Sequence, residues 1–243
     1  MAKVAYVISG HFRTAGVIKD QWKPILDGCD VYVSVWDYLG KWNAIPGVAG
    51  TVCHDKRHVV TDAMVLEVFP NATVQIERYD LLEPLFDTQS RLVRDWQDSL
   101  GWKFASFRCL SYLSAYYRRQ QGYQLLEATG KSYDVVVLTR PDVLIEHRIE
   151  SCPENVVLSA PNSVPDPTNH LWINDIVLAS EQSIAKYIST IYSRYQLIFH
   201  TAKETDSPQS FFDPHALIKH ELDVQKVSMQ ETIRAQITRP TEE

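Results

Sequence analysis

Tyr133-Asp134-Val135-Val136-Val137-Leu138-Thr139-Arg140-Pro141-Asp142 is the stretch that decides the fold class of this chain. Its four consecutive apolar residues, three of them β-branched, show no polar alternation, which suits a strand covered on both faces. Pro141 ends the run, because proline lacks the N–H a sheet ladder needs and fixes its own φ. Two other runs have the same character. Val4-Ala5-Tyr6-Val7-Ile8 leads into Ser9-Gly10-His11, and Asp30-Val31-Tyr32-Val33-Ser34-Val35 leads into Trp36-Asp37. Strands of this kind belong to a parallel sheet with helices on each side. Val74-Gln75-Ile76-Glu77 alternates and reads as a strand nearer an edge.

Working outward, residues 14–26 fit a crossover helix that closes near Asp27-Gly28. Residues 102–121 carry Phe104, Phe107, Leu110, Leu113 and Tyr117 at helical spacing, with Lys103, Arg108, Arg118 and Arg119 on other faces. Residues 183–199 read as one long helix, and 214–222 as another, with Asp213 placed to cap it. Strands alternating with helices predict an α/β fold: a mostly parallel, doubly wound sheet with helices on both faces. Three loops are expected at 40–57, 87–101 and 161–170. Without repeat or linker, residues 1–243 read as a single domain.

Composition bounds the function. The chain has 45% hydrophobic and 22% charged residues and a net charge of −6, which argues against a general binder of nucleic acid or anionic membrane. Cys29, Cys53, Cys109 and Cys152 lie too far apart in sequence for a zinc or redox motif and read as free thiols in a reducing compartment. No apolar run reaches membrane-spanning length, and the N-terminus enters a strand directly, so a cytoplasmic protein is expected.

In open α/β sheets ligands bind beyond the carboxyl ends of the strands, so the strand-end residues are the candidates. Ser9, Gly10, His11 and Arg13 combine a glycine for close backbone approach with a cation suited to a diphosphate; a tight turn with a solvated Arg13 is the alternative. The spacing of a dinucleotide fingerprint or a P-loop is absent. Trp36 and Asp37 either meet a ligand or pack beneath a loop. Arg140 suits a phosphate and Asp142 a hard cation, unless the two close the turn as a structural pair. Asp175 precedes the apolar run 176–179. If that run is an antiparallel strand inserted in the sheet, Asp175 starts near the carboxyl edge and can act as general base or hold a sugar; capping a loop is the other reading.

Together, Val7-Ile8-Ser9-Gly10-His11-Phe12-Arg13-Thr14, Asp30 to Asp37, Tyr133 to Asp142, Asn174-Asp175-Ile176-Val177-Leu178-Ala179-Ser180, Pro214-His215-Ala216-Leu217-Ile218 and Arg239 resemble, in order, a group of GT-A-like glycosyltransferases. These are found in phages, large viruses and bacterial surface-sugar loci. The resemblance implies a GT-A fold that binds a nucleotide diphosphate sugar donor through Ser9, Gly10, His11, Arg13, Trp36, Asp37, Arg140 and Asp142. It implies an Mn or Mg divalent cation on Asp142 with His215 (or His220) as a further ligand, and beside it Asp175 and Arg140 are the expected catalytic residues. The chain departs from the Asp-x-Asp motif of the group. It has Arg140-Pro141-Asp142, one carboxylate in place of two, so only modest metal dependence is expected.

The expected function is therefore transfer of a sugar to a hydroxyl acceptor: a glycan, a protein, a small molecule or, in a phage protein, a hydroxylated DNA base. For DNA, Arg91, Arg94, Lys103, Arg108, Arg118 and Arg119 would have to gather into a groove. The rival is a non-catalytic nucleotide-sugar or carbohydrate-binding protein on the same fold. A nucleotidyltransferase ranks last, because only Asp142 is placed to hold its metals. Residues 161–174, with Pro161, Pro165, Pro167 and Trp172, are expected either to close as a lid or to form a fixed connection.

Overall fold

Strand β1 (Val4–Gly10) is buried along almost its whole length, and its side chains divide by parity between two cores. Val4, Tyr6 and Ile8 face helices α1 (Lys19–Leu26) and α2 (Asp62–Val68), through Trp22, Ile25, Val65 and Val68. Ala5 and Val7 face α4 (Ser106–Ala128), α5 (Gln182–Ser189) and α7 (Pro214–Val224). Both faces of the strand are thus apolar, as its uninterrupted Val/Ile pattern requires. The structure, a computed structural model, describes residues 2–45, 48–99, 106–161, 174–202 and 214–237. Within these, side chains are described except at 40–57, 94, 96–99, 106–111, 174, 199–202 and 214–216.

β1 pairs in parallel with β2 (Asp30–Trp36) and with β6 (Val135–Thr139), and β2 pairs in parallel with the edge strand β5 (Thr73–Glu77). Next to β6 the direction reverses. β9 (Asn174–Ser180) runs antiparallel to β6 on one side and to β8 (Val156–Ala160) on the other, and β10 (Ser228–Glu231) pairs in parallel with β8 at the far edge. The order is β10-β8-β9-β6-β1-β2-β5, a mostly parallel seven-stranded sheet with helices on both faces. A small antiparallel pair, β7 (Val143–Ile145) with β11 (Ala235–Ile237), follows the Arg140–Asp142 turn.

Several expectations are corrected. Residues 40–57 are not a loop: β3 (Tyr38–Ile45) and β4 (Val48–Val59) form an antiparallel hairpin, which the glycines at 40, 47 and 50 disguised. Residues 87–99 belong to α3 (Tyr79–Ser99), which buries Tyr79, Phe86, Ser90 and Val93 at helical spacing between polar neighbours. The long helix expected at 183–199 is two helices, α5 and α6 (Ile191–Ala202). At the break the Thr190 hydroxyl donates to the Tyr187 carbonyl (3.0 Å), a local bond that competes with helix continuation. Residues 15–18 are turns, so α1 starts only at Lys19.

α4 runs on past residue 121 to Ala128 and lies close against β1 and β2. A Cβ at Gly122 would stand 2.9 Å from Val7 Cγ1 and 3.2 Å from Ser34 Cβ, so glycine is what lets this helix approach the sheet. One turn before it, Arg118 and Arg119 are buried, not on an outer face as their charge led us to expect. No helix among the described residues is long and apolar enough to cross a membrane.

Candidate functional site

The carboxyl ends of β1 and β6 lie side by side, and each delivers an arginine to the same carboxylate. β1 ends at Gly10, whose φ of +124° is one that only glycine adopts readily, with open space where a Cβ would be. The next residue, His11, is half-buried. Phe12 then plugs the turn into the core, edge-on to Phe69 with ring centroids 6.3 Å apart. That plug returns Arg13 toward β6. Beyond Thr139, whose hydroxyl donates to the Ile176 carbonyl (3.1 Å), the turn Arg140-Pro141-Asp142 brings Asp142 into the protein.

Asp142 is 1% exposed and accepts from both arginines. Arg140 approaches as a fork, Nε to Oδ1 at 2.9 Å and Nη2 to Oδ2 at 2.7 Å, and Arg13 Nη1 reaches Oδ2 at 3.2 Å. The Arg140 side chain remains 28% exposed and that of Arg13 10%, so the cluster presents cations outward and hides its anion. Its net charge is +1. Burial would raise the Asp142 pKa, but Arg140 and then Arg13 outweigh it and hold the carboxyl below its ordinary value. Burial likewise works against Arg140, and the attraction of Asp142 and Asp175 overcomes it, so its pKa is raised. For Arg13 burial dominates and brings the guanidinium down to about 10, which still leaves it charged at neutral pH.

Asp175 joins this cluster from the other side. The reversed direction of β9 starts it at the carboxyl edge, as expected if the strand was antiparallel. Arg119 Nη2 donates to the Asp175 carbonyl at 3.2 Å and to its Oδ2 at 3.4 Å. Asp175 is therefore held between Arg119 and the field of Arg140. Arg119, expected on an outer face or in a DNA groove, instead meets Asp175. The signal available was that Leu113, Tyr116 and Tyr123 bracket it on the buried arc of α4.

Trp36 and Asp37 are not ligand-facing, and this corrects their expected donor-binding role. Trp36 is fully buried, edge-on to Tyr79 and Phe86 and stacked on Tyr117 at 5.9 Å. The Arg118 guanidinium lies 4.8 Å from its ring centroid, Nη1 2.6 Å from Glu77 Oε2 and Nη2 3.1 Å from the Gln75 carbonyl. Asp37 Oδ1 accepts from the Tyr79 N–H (2.9 Å), which caps the start of α3. Ser9 is buried on the α4 face, 3.8 Å from where a Gly122 Cβ would stand, so its side chain packs under the helix.

The divalent cation expected on Asp142 does not fit the residues present there. Both carboxylate oxygens already accept from guanidiniums, and among the described residues no group of three His, Cys, Asp or Glu could hold a metal ion. The side chain of His215 lies outside the described residues, as do residues 162–173 with Trp172 and most of the expected lid. The basic groove for DNA loses Arg118 and Arg119 to the interior. Arg91 is exposed, and Arg94, Lys103 and Arg108 lie outside the described side chains. Compared with known proteins, no family model matches the chain and no curated protein matches it.

Proposed function

We propose that this protein is a GT-A-like glycosyltransferase that moves a sugar from a nucleotide diphosphate sugar to an acceptor hydroxyl. The observation that carries the reading is the pair Arg13 and Arg140, aligned on the buried carboxylate of Asp142 where β1 and β6 end. A diphosphate leaving group needs preorganised positive charge, and a guanidinium fork matches the geometry of a phosphate. Gly10 would let the donor approach the backbone closely, with His11 beside it. The reversed strand that brings Asp175 to the same edge also supports the reading.

In the reaction, the acceptor oxygen bonds to the anomeric carbon while the bond from that carbon to the diphosphate oxygen breaks. The electron pair stays on the departing diphosphate, beside Arg13 and Arg140. The acceptor proton passes to a base, a role we assign to Asp175, whose carboxylate Arg119 orients. Removing one such charged donor typically lowers kcat by about 100- to 1,000-fold.

The test is to incubate the protein with a panel of nucleotide diphosphate sugars and candidate acceptors, including glycans and hydroxymethylated DNA, and to follow release of nucleoside diphosphate. Arg140→Ala is expected to abolish release with the fold intact. Donor binding without any release would establish the rival, a non-catalytic nucleotide-sugar-binding protein. Failure of every donor to bind refutes both.

A further inference from the structure

The expected metal and the geometry around Asp142 disagree, and the disagreement has a mechanistic content. We infer that in the glycosyltransferase reaction proposed above, on which this inference rests, Arg13 and Arg140 do the work of the divalent cation. The donor diphosphate is then bound directly by guanidiniums held on Asp142, with no metal bridge.

Three features carry this. First, Asp142 has its oxygens engaged by three N–H donors at 2.7, 2.9 and 3.2 Å and is 1% exposed. A hard cation takes carboxylate oxygen as its ligand. To coordinate one, Asp142 would have to release a guanidinium, and the cation would then stand beside two like charges. Second, the fork of Arg140 to Asp142 uses Nε and Nη2, which leaves its Nη1 edge for another anion, and Arg140 is the most exposed member of the cluster. Third, Arg13 stands against the same carboxylate, 10% exposed, and burial draws its guanidinium down to about 10, so an added anion beside it would stabilise its charge. When the anomeric carbon–oxygen bond breaks, the electron pair left on the diphosphate falls against these N–H groups, and Asp142 keeps both guanidiniums in place throughout.

The test uses the full chain, freed of metal by exhaustive chelation, titrated calorimetrically with UDP, GDP, CDP, ADP and TDP in EDTA and again in MnCl₂ or MgCl₂. At least one nucleotide is expected to bind with affinities in EDTA and in metal that agree within roughly twofold. Arg13→Ala and Arg140→Ala are each expected to weaken that binding by about tenfold or more. Arg13→Lys and Arg140→Lys, which retain charge without the fork, serve if the alanine variants fail to melt cooperatively, and are expected to lose affinity as well. Nucleotide binding that requires the metal overturns the inference and leaves the glycosyltransferase reading standing. So does metal-free binding that the arginine variants leave unchanged. If no nucleotide binds in either buffer, the inference falls together with the proposed function.

Discussion

Replacing Asp142 by asparagine changes one atom's identity at the centre of the cluster and removes the carboxylate that Arg13 and Arg140 share. The wild-type carboxylate receives three charge-assisted hydrogen bonds while 1% exposed. Asparagine keeps one acceptor oxygen and turns an NH₂ donor toward a guanidinium. Breaking a buried ion pair by removing one partner costs about 3–5 kcal/mol, because the remaining charge stays buried. Arg140 is 28% exposed and can recover some hydration, which discounts the figure to roughly 2–4 kcal/mol. For a domain of this size that lowers Tm by on the order of 10 °C. The loss depends on pH. The folded-state pKa of Asp142 is held below its ordinary value, so its contribution is fully present above about pH 5 and fades as pH falls through the folded-state value. Urea denaturation of Asp142→Asn and wild type at pH 7 and near pH 3 measures both effects. The difference should be large at pH 7 and smaller near pH 3. A difference under about 0.5 kcal/mol at pH 7 would refute the argument, since that is the range of an ordinary surface substitution.

Three other substitutions probe the elements that build the site. Gly122→Ala places a Cβ 2.9 Å from Val7 Cγ1, and the forced separation of α4 from the sheet should cost about 1–3 kcal/mol in urea midpoint analysis; an unchanged midpoint would mean the helix does not rest on that glycine. Arg118→Met should cost about 1–3 kcal/mol by leaving Glu77, itself 24% exposed, without its partner, and Glu77→Gln in the same chain should recover part of that loss; no recovery would assign the effect to packing over Trp36 alone. Thr61→Ala removes the hydroxyl that accepts from the Met64 N–H at the start of α2, which should lower stability by about 1 kcal/mol without altering nucleotide binding, as calorimetry would show.

The strands whose burial is written in their own side chains were legible before any fold was known. Val4–Ile8, Val31–Val35 and Val135–Leu138 are apolar on both parities, and no partner needs to be known to place them between two helical layers. The turn after β6 was legible for the same reason, because Pro141 acts on its own backbone. The position of Asp175 at the carboxyl edge followed from reading its strand as reversed. Tertiary structure alone decided which charges meet. Arg13 and Asp142 are 129 residues apart, and Arg119 and Asp175 are 56 apart, and no local pattern encodes such pairs. It also decided what is buried where charge or aromaticity misleads. Arg118 lies inside because Glu77, the Gln75 carbonyl and the Trp36 ring together stand in for part of its hydration. Trp36 became core and not ligand wall because α3, read in part as a loop, supplies Tyr79 and Phe86 against it. Asp142 could be read from the sequence as a metal ligand or as half of a turn-closing pair. Only the return of Arg13 from β1 shows its Oδ2 shared by two guanidiniums while Arg140 holds Oδ1, since the Arg13 contact exists only once the two strands lie side by side.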